Sequence, residues 1–342
     1  MIHIGIDVHK AESQICALHA DGEVVEKRIR TERDRFTEFF GRLPKSKILI
    51  ESSTESEWVA RVLEGLGHEV IVADPNFAAM YATRGRRVKT DRRDARALAE
   101  ACRSGIFRPA HRLSDEQRQR RNVLISREKL VRMRSTLIVT VRALLRGLGI
   151  GIRTGEAESF GNRVRALIVP PELSVVTAAL LTTFDTLNTQ IAALDKELET
   201  IAKGDERVSR LMTTPGVGPI TAIAFLAAID DPERFDDAGK VAAYLGLVPG
   251  EDSSGGRTRR TSITKAGSGM VRYLLVQAAL TIMRRGKSRA PALHAWVQNL
   301  ATTKGSKIAR VALARKLSGI LFAMLRDGAK FDPRHREVAN AA

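Results

Sequence analysis

The sequence predicts an α/β domain at the N-terminus, then long basic helices, and then a mainly helical C-terminal domain. Short apolar runs separated by turn residues fill roughly the first 105 positions, as strands and short helices require. Beyond them, as far as Gly204, apolar residues recur every three or four positions, and after Gly204 glycine and proline interrupt apolar helical stretches. We therefore predict four segments in the 342 residues: 1–108, 109–204, 205–330 and a flexible tail at 331–342.

The N-terminal segment is predicted to form one sheet with flanking helices. Strands are expected at 2–8, 13–19, 23–29, 47–51 and 69–73, and helices at 31–43, with Thr31 as cap, and at 55–66. Asp21-Gly22 supplies a hairpin turn between the second and third strands. The order β-β-β-α-β-α-β is that of an RNase H-like domain. Thr90 is a good N-cap for a further helix from Asp91 to about Arg103.

Two long helices are predicted in the middle segment. The first lies between His111 and Arg153, is strongly basic, and carries an apolar stripe of Leu130, Met133, Leu137, Val141, Leu144 and Leu148. The second covers 173–201, with apolar residues again three or four positions apart. A repeat sustained over about four heptads is typical of a coiled coil, here within the chain or between subunits.

The charge of the chain favours a polyanionic partner. Its 56 lysines and arginines exceed its 39 acids, which gives a formal charge of +17, and nucleic acid is the first candidate. The low aromatic content, 5%, argues against base-stacking platforms for single strands. Apolar runs are too short to span a bilayer and a signal sequence is lacking, so we expect a soluble protein without a membrane partner. Cys16 and Cys102 are expected to be buried apolar residues rather than disulfide or zinc ligands.

Four carboxylates are candidates for a metal site. Asp7 lies within the first predicted strand, where an acid is costly unless it is paired or binds metal. Glu51 ends the fourth strand, which in an RNase H-like sheet lies beside the first, and Asp91 and Asp94 share one face of a helix start. Together they could hold one or two Mg²⁺ ions for phosphoryl transfer. Ordinary roles stay open: Asp91 as a first-turn acid, Asp94 as an arginine partner.

Basic residues and glycines around these acids and in the C-terminal segment are candidates for phosphate contacts. Arginines and a lysine crowd the two helix aspartates, namely Arg84, Arg86, Arg87, Lys89, Arg92, Arg93 and Arg96. Pro215-Gly-Val-Gly-Pro fits a helix-hairpin-helix element whose Gly216 and Gly218 would approach a phosphate, or else a plain tight turn. His9 would border the carboxylates as a packing or phosphate-contact residue.

A serine-containing loop is the second candidate for chemistry. Ser253-Ser254-Gly255-Gly256 leads into basic residues, namely Arg257, Arg259, Arg260, Lys265 and Arg272. The loop could simply grip a nucleic-acid backbone, with its hydroxyls as incidental donors. Alternatively one serine is a nucleophile toward phosphorus.

These motifs resemble the DEDD transposases of bacterial insertion sequences, a family that includes the Piv-type invertases. The N-terminal resemblance lies in Ile4-Gly-Ile-Asp-Val-His-Lys, Ile50-Glu51 and Lys89-Thr-Asp-Arg-Arg-Asp-Ala. The C-terminal resemblance lies in Thr214-Pro-Gly-Val-Gly-Pro, Ala243-Tyr-Leu-Gly-Leu-Val-Pro, Ser253-Ser-Gly-Gly-Arg and Thr264-Lys-Ala-Gly. Both halves occur in the right order, and the likeness covers roughly residues 1 to 289.

The resemblance implies a recombinase with a RuvC-like N-terminal domain and a helical transposase domain. Asp7, Glu51, Asp91 and Asp94 would be catalytic and would hold Mg²⁺, for which we expect two ions. Ser254 would attack the DNA backbone and become covalently joined to it, with Ser253 as the other candidate. The implied partners are double-stranded donor and target DNA, a structured bridge RNA that guides recombination, and further copies of the chain, as a dimer or tetramer. The implied location is the bacterial cytoplasm, at the nucleoid.

Two other functions remain open from the sequence. A hydrolytic RuvC-like nuclease, similar to a junction resolvase, would use the carboxylates with water as nucleophile and would not need the serine. A non-catalytic nucleic-acid scaffold would use the basic surface alone, with the carboxylates in structural roles.

Overall fold

The computed structural model describes residues 1–82, 90–254 and 257–333, excepting the side chains of 252–254 and 257–260. The chain divides into two compact units, Met1–Arg112 and Leu113–Ala342. The flexible tail predicted at 331–342 falls outside the described residues from position 334 onward. Among the helices described, none is long and apolar enough to cross a membrane.

The first unit is a five-stranded mixed sheet with helices on both faces. Its elements are β1 (His3–Val8), β2 (Glu12–Leu18), β3 (Val24–Arg30), α1 (Arg33–Phe40), β4 (Lys47–Glu51), α2 (Ser56–Gly65), β5 (Glu69–Ala73), a 3₁₀ turn (Ala78–Tyr81) and α3 (Asp91–Ser104). The sheet order is β3-β2-β1-β4-β5, with β1 antiparallel to β2 and parallel to β4. This confirms the predicted α/β class and is compatible with an RNase H-like fold.

Thr31 does not cap the first helix as predicted. α1 begins at Arg33, and Glu32 occupies the N-cap position without a side-chain cap. The Thr31 hydroxyl instead lies 2.8 Å from the hydroxyl of buried Ser13 on β2. Because Ser13 is buried in the sheet, its hydroxyl needs a hydrogen-bond partner, and Thr31 meets that need.

Alternation along the strands sends side chains into two different cores. Ile4 and Ile6 of β1 pack with Phe36, Phe40 and Leu63 of α1 and α2. On the opposite face, α3 covers the sheet through a second cluster that includes Leu49 of β4, Leu98 and Cys102. Cys16 and Cys102 are buried free thiols, which confirms the prediction, and burial raises the pKa of each to about 11.

Gly5 allows α3 to lie directly on β1. A Cβ at this position would stand 2.2 Å from the Ala95 carbonyl oxygen and 2.2 Å from the Ala99 amide nitrogen. These are backbone atoms of α3, which a side-chain rotation cannot move aside. Gly5 therefore sets the separation between β1 and the helix whose first turn carries Asp91 and Asp94.

Gly5→Ala is expected to lower the free energy of unfolding of the first unit by about 3 kcal/mol, the upper end for overpacking, because backbone must move. The same movement shifts Asp91 and Asp94 away from Asp7, so divalent-metal affinity should fall as well. Chemical denaturation and metal titration measure the two effects.

Gly65→Ala is the matched control for this substitution. Gly65 is an exposed position at the end of α2, and no described atom beyond its own helix and chain neighbours lies within 4 Å of its would-be Cβ, so alanine should stabilise by about 0.5–1 kcal/mol. Equal stability of the two variants would contradict the close approach of α3.

The second unit is helical apart from one hairpin. Its elements are α4 (Asp115–Arg146), α5 (Phe160–Arg165), α6 (Pro171–Gly204), α7 (Glu206–Leu211), α8 (Pro219–Ile229), a 3₁₀ turn (Pro232–Arg234), α9 (Ala238–Tyr244), β6 (Pro249–Ser254), β7 (Arg257–Ile263), α10 (Gly269–Arg285), α11 (Pro291–Lys304) and α12 (Ser306–Asp327). The apolar helix α8 lies in the core, where Phe225 and Leu226 pack with Leu275, Leu317 and Leu321.

The buried face of α4 differs from the predicted stripe. Met133 and Leu148, which we expected in it, are 51% and 53% exposed. Val141 is buried as predicted, and the other buried positions include Leu124 and Leu145 together with two arginines, Arg120 and Arg134. The prediction missed the two arginines because an arginine can bury its aliphatic stem while its charged group reaches an acid.

Three arginines seven residues apart on α4 form ion pairs with acids in the segment 158–205. Arg127 pairs with Asp195 of α6, and Arg134 reaches Glu158 at 2.8 Å. Arg120, only 7% exposed, lies 2.7 Å from Asp205. Burial alone would raise the pKa of Asp205, but its contacts with Arg207 and Arg120 hold that pKa below its usual range. Matched charges thus fix how α4 lies against α6.

Arg120→Met is expected to cost about 2 kcal/mol of unfolding free energy, because it leaves buried Asp205 with only one of its two arginines. The control is Arg132→Ala, which removes an exposed arginine of α4 that pairs with Glu128 and should cost under about 0.5 kcal/mol. Urea denaturation compares them, and a cost at Arg120 no larger than at Arg132 would contradict this role.

Candidate active site

Asp7 and Glu51 lie at the same end of two neighbouring strands. β1 and β4 are parallel with Ile6 opposite Ile50, so the next residue on each strand is an acid. Ile6 and Ile50 belong to the core beneath α1 and α2. Because successive side chains alternate, Asp7 and Glu51 are on the face that α3 covers.

The first turn of α3 brings two more carboxylates to this edge. Thr90 caps the helix, with its hydroxyl accepting from the Arg93 amide at 3.4 Å. Asp94 is only 4% exposed and immediately precedes Ala95, the residue in contact with Gly5, whereas Asp91 is exposed. The helix therefore presents one buried and one solvent-facing carboxylate beside Asp7.

His9 connects Asp7 and Asp91. It follows β1 directly, and its Nε2 lies 3.2 Å from the Asp7 Oδ2 and 3.4 Å from the Asp91 Oδ1. One ligand atom from each of these three residues lies within 4.8 Å of the other two. The sequence placed His9 only at the border of the site, whereas the structure places it between two of its acids.

Asp7 is buried within electrostatic range of the other three carboxylates. Burial raises the pKa of Asp7, which is 8% exposed, to about 6; the charge of His9 opposes this rise, and those of Asp94, Asp91 and Glu51 add to it. A carboxyl group surrounded by three others is poorly stable as an anion without a cation. The arrangement therefore favours binding of positive charge at Asp7.

Glu51 is held by a tyrosine that the sequence did not single out. The Tyr81 hydroxyl, in the 3₁₀ turn after β5, donates a hydrogen bond to the Glu51 Oε2. Burial and then this bond raise the pKa of Tyr81 above its ordinary value, with further contributions from Asp94 and Asp7. The phenol therefore stays protonated and keeps one Glu51 oxygen oriented.

The donor set suits a hard divalent cation. Carboxylate oxygens are the protein ligands that Mg²⁺ and Mn²⁺ prefer, and two of these carboxylates, Asp7 and Asp94, are buried. A second group with close ligand atoms, His19, Asp21 and Glu23, lies at the exposed β2–β3 turn. That group comes from alternate residues of a single turn and has no buried acid.

The structure describes only some of the predicted phosphate-binding residues near α3. Arg86, Arg87 and Lys89 fall outside the described residues, as does Arg84. Arg92 forms an ion pair with Glu26 of β3, and Arg93 is exposed.

The glycine turn before α8 is held by packing. Gly216 has φ +82°, and a Cβ there would meet the Ala278 carbonyl oxygen of α10 at 2.7 Å. At Gly218, the N-cap of α8, no described atom lies within 4 Å of a would-be Cβ. The first glycine is therefore required by the fold, whereas the second leaves the helix start accessible.

The serines lie in the β6–β7 hairpin. In its backbone register Ser253 is opposite Thr258 and Ser254 is opposite Arg257, and Arg259 and Arg260 follow on β7. Gly246 and Gly267 allow the two chain segments at the base of the hairpin to lie close together. A Cβ at Gly246 would collide with the backbone of Ala266, and a Cβ at Gly267 would collide with the carbonyl oxygen of Tyr244. The Arg272 guanidinium donates to the carbonyls of Leu245 and Gly267, while Lys265 is exposed with φ +57°.

Comparison with known proteins identifies the class. Residues 4–150 match a DEDD family model described as transposase, and residues 208–295 match the model described as transposase of the IS116/IS110/IS902 family. A Pseudomonas aeruginosa protein named probable family 20 transposase is 31% identical over 94% of this chain and 96% of its own. The transposase for insertion sequence element IS1111A of Coxiella burnetii is 28% identical over 94% and 89%.

The fold and these matches define a DEDD transposase, an enzyme that cleaves and rejoins DNA. The transposase for insertion sequence element IS1328 of Yersinia enterocolitica extends the similarity to 96% of this chain and 98% of its own, at 28% identity. The chain belongs to the IS116/IS110/IS902 family of insertion-sequence transposases.

Proposed function

We propose that this transposase cleaves DNA with Mg²⁺ held by Asp7, Glu51, Asp91 and Asp94. One observation carries the proposal: Asp7 is buried at the sheet edge within electrostatic range of three other carboxylates, and its burial and these charges raise its pKa. The cluster also runs Asp, Glu, Asp, Asp along the chain, which fits the DEDD name of the matching model. Bound ions would polarise the scissile phosphate and stabilise the entering and leaving oxygens.

Neighbouring residues hold the carboxylates of this centre in position. Tyr81 holds one oxygen of Glu51, and the Thr90 cap with Gly5 positions the first turn of α3. Asp94 is sequestered from water, while Asp91 and His9 are exposed, so a DNA phosphate would approach from the Asp91 side. The buried acids would fix the metal and the exposed side would admit substrate.

In the proposed reaction, Ser254 is the nucleophile. Its hydroxyl oxygen forms a bond to phosphorus and gives up its proton, while the bond from phosphorus to a DNA oxygen breaks and that oxygen leaves as a hydroxyl. Attack by a hydroxyl of the new DNA strand then reverses these changes and releases the serine. The position directly before Gly255-Gly256, in a hairpin anchored at its base, supports this assignment.

A structured bridge RNA is the proposed guide for donor and target DNA. The charge of +17 and the basic helix α4 would accommodate two nucleic acids on one protein. We also propose that the enzyme works as an oligomer in the bacterial cytoplasm, since joining two DNA ends needs two sites.

The test is a strand-transfer assay with the purified full chain, the RNA that copurifies with it, and supercoiled plasmid carrying the ends of the insertion sequence. DNA covalently attached to protein after denaturation is expected only with both Mg²⁺ and RNA. Nicked DNA without attached protein would indicate a hydrolytic nuclease instead. Unbroken DNA under every condition would contradict the proposal.

A further inference from the structure

His9 is the one nitrogen donor that the structure places among the four carboxylates in the described part of the chain. We propose that His9 is a direct ligand of the metal centre, which makes it a mixed nitrogen and oxygen site. This inference rests on the proposed metal centre and adds a residue outside the four acids.

The distances match shared coordination. Octahedral ligands at about 2.1 Å from one ion place neighbouring donor atoms about 3 Å apart. The Nε2 of His9 lies 3.2 Å and 3.4 Å from carboxylate oxygens of Asp7 and Asp91, within a few tenths of that separation. An ion between the three needs only small side-chain adjustments.

The backbone of β1 and α3 positions His9 beside Asp7 and Asp91. β1 fixes the backbone of Asp7. His9 follows two residues later, so in an extended chain its side chain points to the same face of the sheet as that of Asp7. Its imidazole is exposed, so it can rotate onto an ion without disturbing the core. Asp91 approaches from α3, a separate element, so the three donors converge from two directions.

An imidazole ligand changes which metals the centre prefers. Nitrogen donors favour transition metals over Mg²⁺, whereas a cage of carboxylates alone favours Mg²⁺ and other hard ions. We therefore expect the protein to bind Mn²⁺ more tightly than Mg²⁺. Loss of an outer-sphere partner of a metal ligand commonly reduces affinity 10- to 100-fold, so His9→Gln should reduce Mn²⁺ affinity at least about tenfold.

The experiment is electron spin echo spectroscopy of Mn²⁺ bound to the full-length protein. The wild type should show modulation from a directly coordinated ¹⁴N nucleus, and His9→Gln should lose it while still binding Mn²⁺ more weakly. His19→Gln is the matched control, because it removes the histidine of the other close ligand group, and it should keep the signal.

The outcomes separate this inference from the proposed function. Mn²⁺ binding that is abolished by Asp7→Asn but shows no nitrogen coupling overturns the role of His9 and leaves the carboxylate centre standing. A nitrogen signal that disappears in His19→Gln but not in His9→Gln also overturns it. Failure of Mn²⁺ to bind in a manner that depends on Asp7 overturns both.

Discussion

Asp7→Asn is expected to abolish Mg²⁺-dependent strand breakage and, at the same time, to make the metal-free protein more stable. Activity should fall at least about 10³-fold, because a bound metal contributes several kcal/mol to stabilising the transition state. The gain in stability follows from removing a charge that the fold buries among like charges.

The raised pKa of Asp7 determines how the stability difference between the variant and the wild type changes with pH. The pKa of Asp7 rises from 3.8 to about 6 on folding, so folding favours its protonated form. In the metal-free wild type, the free energy of unfolding therefore falls as the pH rises from about 4 to about 6, by about 3 kcal/mol at most. The free energy of unfolding of Asp7→Asn does not fall in this way. The two proteins should therefore be equally stable near pH 4, and the variant should be the more stable one at higher pH.

Thermal unfolding with chelator present, at several pH values, measures the effect. Above pH 6 the melting temperature of the variant should be higher by about 5 °C. This is somewhat less than the removal of the buried charge alone would give, because the variant also loses the ion pair between Asp7 and His9. Asp21→Asn, at the exposed β2–β3 turn, is the control and should change little. A less stable Asp7→Asn protein at pH 8 would mean that Asp7 is a structural partner of His9 instead.

Ser254→Ala is expected to eliminate the covalent protein–DNA product without affecting metal binding. Removal of a nucleophile that acts with its catalytic neighbours commonly costs about 10⁴-fold or more in rate. Ser253→Ala is the closest available control, since it removes the same group from the preceding position of β6. That variant should keep the covalent product.

Mass spectrometry of the DNA-linked peptide identifies the attached residue directly. Phosphate on Ser254 agrees with the prediction, whereas phosphate on Ser253 moves the nucleophile by one position. Equal nicking by Ser254→Ala and the wild type, with no covalent product from either, would show that water is the nucleophile.

Much of the first unit could be predicted because its pattern is local. Alternation of apolar residues and the Asp21-Gly22 turn located the strands within about a residue. Asp7 stood out because a charged residue inside an apolar strand has no ordinary structural role. The cap at Thr90 likewise signalled the start of α3.

The remaining features depend on contacts between distant positions. Tyr81 meets Glu51 across 30 residues, and nothing in its neighbourhood marks it. The requirement for glycine at position 5 follows only from the close packing of α3 on β1 at this residue. On α4, Arg120 and Arg134 take buried positions through acids far along the chain, so hydrophobic spacing found Val141 but missed the two arginines.

The most direct test of the carboxylate centre is anomalous diffraction from crystals of the full-length protein soaked in Mn²⁺. A manganese peak within bonding distance of the Asp7 carboxylate, flanked by Glu51 and Asp94, is the predicted result. A well-ordered site in which these three side chains remain without a manganese peak, while Mn²⁺ occupies another position, would contradict the account.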